Sequence, residues 1–231
     1  MSKFKYKNII IHNKCSYPKK KNIKDFLELV DERVIKKNKK IIIYDTPLNL
    51  LWAFFNPFNR VINKKNYLSS LKNLEGFYSQ KNECIIILAY NIRQKTNTQY
   101  LFITYFFSVL IHELYHGFNH SKVKNKSYQT YDEYFNSDIE QETARYEIDF
   151  IRNNDSKLCY LFKLKIDDIN LVIENRSKKK IKVYPPNYDK IYYSSEILRK
   201  FDYFIANAVA KIIYKYLKYK DKKSQPNGWL I

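Results

Sequence analysis

The chain must bury one long apolar run, and that run leads straight into groups that burial penalises. Tyr100 to Ile111 carries no charge, and Leu101, Phe102, Tyr105, Phe106, Val109 and Leu110 recur at helical spacing. The residues that follow are His112-Glu113-Leu114-Tyr115-His116. A bilayer span needs about 20 apolar residues, so this run is too short to cross. Extending it only draws in two imidazoles and a carboxylate. The pattern predicts a deeply buried helix from about Thr98, with Gly117 as its stop.

On such a helix His112 and His116 lie one turn apart on the same face. That spacing lets two neutral imidazoles reach one Zn²⁺ at about 2.0–2.1 Å each. Glu113 is rotated off the pair, where its carboxylate can act as general base toward a water that zinc brings to a pKa of about 7. Composition alone produces an H-E-x-x-H pattern in roughly three of a thousand such chains. A catalytic zinc takes three protein ligands and keeps one position open. The chain has 4 histidines, and His12 lies far upstream in a basic segment. His120 is excluded because a straight helix, rising 1.5 Å per residue, sets it about 12 Å from His112. The third ligand is therefore expected to be a carboxylate from the segment Asp138–Glu147, on a second helix that Asn153-Asn154-Asp155 breaks. Glu140 is favoured, because Thr143 and Ala144 beside it are small enough for close helix approach; Glu142, flanked by Arg145 and Tyr146, is the alternative. Tyr131, in the polar segment Ser121–Tyr134, is the candidate to stabilise an oxyanion.

Composition narrows the class. With 231 residues, 45% of them apolar and 17% aromatic, the chain has the material for a folded core. Only 3 glycines and 6 prolines favour long helices over a many-turned sandwich. The 3 cysteines, Cys15, Cys84 and Cys159, form no C-x-x-C pair, so the expectation is a reducing compartment without a disulfide framework. The formal charge of +19 keeps a nucleic-acid partner open. Basic residues are spread along the whole chain, however, together with Asn, Ile and Tyr, as A/T-rich codons produce. The N-terminus has no apolar signal region, which predicts an intracellular, cytoplasmic protein without a membrane partner.

Along the chain, residues 1–21 read as a basic arm holding Ile9-Ile10-Ile11 as a short strand. Residues 22–152 read as the core, 153–220 as a helix-rich extension packed on it, and 221–231 as a tail. Within the core a helix is predicted over about Ile23–Lys37 and a buried strand over Lys40–Tyr44. Another helix is predicted through Leu51 to Phe55. Leu74–Tyr78 and Cys84–Tyr90 form an expected antiparallel hairpin whose edge an extended peptide could join. A last helix is predicted from Ser194 or Ser195 to about Tyr219.

The hairpin Gly76-Phe77-Tyr78…Ile85-Ile86-Ile87, the helix ending in HELYHGFNH (112–120) and EQETARY (140–146) come in an order that resembles the ImmA/IrrE-type zinc peptidases, a gluzincin-like group. The resemblance covers about residues 74–150. It places Glu140 on that group's metal-binding glutamate. Thr143 stands where the group usually has Ala, and Ala144 where it has the Asn or Asp that often supports a metal histidine. The SprT-like proteases match less well, because their third ligand is a histidine and none follows His120. The resemblance implies an α+β zincin-like core with a small antiparallel sheet beside the H-E-x-x-H helix. It also implies an intracellular zinc endopeptidase acting on protein or peptide substrates. The rival expectations are a basic nucleic-acid-binding protein and an inactive zincin-fold interaction module.

Overall fold

Short isoleucine-rich segments build the sheet, as suits β-branched side chains on a pleated surface. The computed structural model describes residues 2–46, 74–79, 82–120 and 137–177, with residues 204 and 208. β1 (Ser2–Tyr6) and β2 (Ile9–Asn13) form an antiparallel hairpin. β3 (Lys40–Tyr44) lies parallel to β2, β5 (Cys84–Leu88) lies parallel to β3, and β4 (Gly76–Ser79) pairs antiparallel with β5 at the edge. The order is β1-β2-β3-β5-β4. Parallel neighbours need a crossover, which α1 (Lys20–Leu27) and α2 (Glu32–Lys36) supply between β2 and β3.

Three expectations are corrected here. The sheet is mixed and five-stranded, not a small antiparallel one: Ile41, Ile42, Ile43 and Tyr44 are buried between two parallel partners, where no inward–outward alternation survives. Residues 2–13 are two sheet strands and not part of a basic arm. Phe4, Tyr6, Ile9 and Ile11 turn into the core, while Lys3, Lys5 and Ile10 turn out. The helix predicted over 23–37 is also divided, because Asp31 caps α2 by accepting the Arg33 N–H at 2.8 Å.

Beyond the sheet come α3 (Ala89–Gln94), α4 (Gln99–His120), α5 (Asp138–Asn153), α6 (Asp155–Phe162) and α7 (Ile166–Ser177). Every residue of α4 from Leu101 to Gly117 is buried, between β4 and β5 on one side and α5 and α7 on the other. Its first half is locked by aromatic rings. Phe107 stacks on Phe26 of α1 at 4.1 Å and meets Phe162 of α6 at 4.7 Å, while Phe150 of α5 meets Phe26 edge-on at 5.6 Å. Gly117 does not stop α4. It admits Asn38, whose amide donates to Val34 O at 2.9 Å and Leu114 O at 3.1 Å; a Cβ at Gly117 would sit 2.9 Å from Asn38 Cγ.

The result is an α+β fold with a small mixed sheet and a helical C-terminal region. Among the described residues no helix is long and apolar enough to cross a membrane. Tyr131 and its segment and the helix predicted through 51–55 lie outside the described residues, as does the helix predicted over 194–219 apart from residues 204 and 208.

Candidate metal centre

The second half of α4 supplies His112, Glu113 and His116, and α5 packs against it. Ser137 caps α5, its hydroxyl accepting the Glu140 N–H at 3.3 Å. The cap fixes Glu140 in the first helical turn, at the positive end of the helix dipole. From there its carboxylate reaches both histidines: Oε1 is 3.2 Å from His112 Nε2, and Oε2 is 3.0 Å from His116 Nε2. The two Nε2 atoms are themselves 3.0 Å apart. The structure thus brings together His112, His116 and Glu140. It does not bring in Glu142, which accepts a hydrogen bond from Tyr115 OH at 2.9 Å.

The outer nitrogens decide the tautomers. His112 Nδ1–H donates to Glu147 Oε2 at 2.8 Å. Thr143 Oγ1 donates to Ile139 O at 2.7 Å, which leaves a lone pair facing His116 Nδ1 at 3.5 Å. With both rings neutral, each turns an Nε2 lone pair toward Glu140. Glu140 Oε2 lies close to His116 yet accepts no well-formed hydrogen bond. In that neutral form three convergent acceptors fit a divalent cation.

A proton on His112 competes with a cation for the same place. Burial disfavours a charged His112, but hydrogen bonding to Glu140 and Glu147 outweighs it and holds the ring up at about 10. His116, buried beside it, is pushed down. The histidine pair, against the opposing effect of burial, keeps Glu140 well below the usual carboxylate range. Glu113 behaves differently. Burial, opposed by His112 and reinforced by Glu140, lifts its carboxyl to about 8, and its Oε2 has no hydrogen-bond partner among the described residues. A carboxyl placed beside a cation site is within reach of the proton of a water bound there.

Compared with known proteins, the chain matches no family model, no curated protein and no solved structure. The site stands on its own geometry.

That geometry adds a residue that sequence reasoning missed. Glu147, not residue 144, supports a metal-site histidine, and the Ser108 hydroxyl and Arg176 also donate to it. A signal existed: Glu147 lies seven positions after Glu140, on the same helix face two turns on. The edge strand β4 also meets the site. A Cβ on Gly76 would fall 2.9 Å from Val109 Cγ1 and 3.1 Å from Glu113 Cγ, so glycine lets the strand lie directly against α4 at the candidate base.

Proposed function

We propose that this chain is a zinc-dependent endopeptidase with a zincin-like core, in which His112, His116 and Glu140 are the metal ligands and Glu113 the general base. The reading is carried by one observation: three ligand atoms lie within 4.8 Å of one another beside a buried carboxylate oxygen that has no partner among the described residues. Two imidazoles and one carboxylate, leaving a position open, suit zinc. When bound, zinc supplies the Lewis acidity that lowers the pKa of water at the site to about 7 and polarises a carbonyl.

The residues of the chain do the rest. Glu113 takes a proton from the attacking water at its carboxylate and returns it to the leaving amine as the C–N bond breaks. Glu147 holds His112 with Nε2 toward the ligand position. Glu140, fixed by the Ser137 cap, balances the positive charge that gathers between the two histidines. The outer side of β4 offers main-chain groups along which an extended protein or peptide substrate can pair. An intracellular location goes with this reading.

Glu113→Gln tests it, because the amide keeps the shape and loses the base. Zinc per chain should be unchanged, while cleavage of a peptide mixture, read by mass spectrometry, should fall by about 100-fold or more. Retained cleavage by that variant would overturn the mechanism.

A second reading has one observation of its own. Lys3 and Lys5 of β1, His12 of β2 and Lys40 of β3 lie on adjacent strands, and burial together with Lys40, Lys3 and Lys14 pushes the His12 pKa down. A face so crowded with cations suits nucleic acid. Oligonucleotide binding with a steep salt dependence, in a chain without peptidase activity, would favour it.

A further inference from the structure

Glu147 is an expensive residue to keep charged. It is buried at 2% exposure, where a carboxylate is stable only with close partners. Arg176, near the end of α7, is the main one. Its Nε donates to Glu147 Oε1 at 2.6 Å and its Nη2 to Oε2 at 2.7 Å, a planar two-point clasp. Oε2 still accepts from His112 at 2.8 Å.

The guanidinium is held in turn. Its Nη1 donates to Glu75 Oε2 at 3.1 Å, its carbon lies 5.7 Å from the Tyr105 ring centroid, and Glu75 also accepts from Tyr105 OH at 2.9 Å and pairs with Lys95. Glu147, Arg176, Glu75 and Lys95 alternate in sign, so the ladder adds no net charge beside the metal site. It also runs from α7 to Glu75, the residue before β4, and so joins the edge strand to the histidine.

We infer that Arg176 is a positioning residue of the metal centre: acting through Glu147, it fixes the orientation of His112 and thereby the affinity for the cation. This rests on the metal-site reading above. It makes α7, beyond the expected core boundary at residue 152, part of the functional unit. Lysine cannot replace the arginine, because a point charge does not reproduce the clasp.

The test is metal affinity by competition of zinc with a chromophoric chelator, alongside the visible absorption of the Co²⁺-loaded chain. The variants are Arg176→Lys, Arg176→Met, Glu147→Gln and the double Arg176→Met/Glu147→Gln, with circular dichroism to check folding. Each single variant should lose roughly 10–100-fold in affinity and shift the Co²⁺ bands. The double should match Glu147→Gln alone, since Arg176 would have nothing left to act through. Should Arg176→Met fail to fold, Arg176→Lys carries the test. Wild-type affinity in the Arg176 variants, or losses that add in the double, would overturn the role of Arg176 alone. A wild-type chain that takes up neither zinc nor cobalt would overturn the metal site itself.

Discussion

The two halves of α4 are buried alike and held by opposite means. In the first, Phe106 and Phe107 are at 0% and 1% exposure, and each such ring contributes about 1.5–3 kcal/mol by leaving water. In the second, His112, Glu113 and His116 are at 7%, 6% and 2%, and the same burial costs free energy unless partners arrive from elsewhere. Glu140, Thr143 and Glu147 of α5 are those partners for the histidines. The Asn119 amide and Glu113 Oε2 find none among the described residues. The contrast teaches a division of labour along one rod. Apolar contacts settle where the helix lies, and their surplus stability lets the other end hold polar groups in a costly arrangement.

The sharpest way to break the comparison is at the polar end. Glu140→Ala should abolish metal uptake with little change in unfolding free energy, whereas Glu142→Ala should leave uptake intact, both read by elemental analysis and urea denaturation. Equal metal in the two variants would refute the assignment of Glu140. At the apolar end Phe107→Ala should destabilise the fold by about 3–5 kcal/mol while the folded fraction keeps its metal affinity. A loss of affinity beyond unfolding would mean that the halves are not separable.

The smaller effects lie where the halves meet their neighbours. Gly117→Ala should cost about 1–3 kcal/mol through overlap with Asn38, and combining it with Asn38→Ala should recover part of that cost. Strict additivity of the two would place the strain elsewhere. Ser137→Ala should cost about 1 kcal/mol in thermal unfolding by removing the α5 cap, and should slightly weaken metal binding by loosening the turn that carries Glu140.

Much of the site was legible because it is local. The period of Leu101, Phe102, Tyr105 and Phe106 marks the helix, and four residues per turn place His112 over His116 whatever surrounds them. The break at Asn153-Asn154-Asp155 bounds the end of α5 within a residue of what the sequence predicts. The isoleucine runs of β2, β3 and β5 were legible, but most of their partners were not, and β1 was not read as a strand at all. An isoleucine run says that a strand is buried on both faces, not that β3 would lie parallel to both β2 and β5.

The sequence by itself determined that a buried helix would carry two histidines and a glutamate on neighbouring faces, and that a carboxylate of 138–147 was needed to meet them. Tertiary structure alone decided that Glu140 faces the histidines while Glu142 turns to Tyr115. It also decided that Glu147 and Arg176 stand behind His112, and that residues 2–13 join the sheet. The physical reason is distance along the chain. Arg176 meets Glu147 across 29 positions and Glu75 across 101, and contacts of that span depend on the path of the whole backbone rather than on any repeating local geometry.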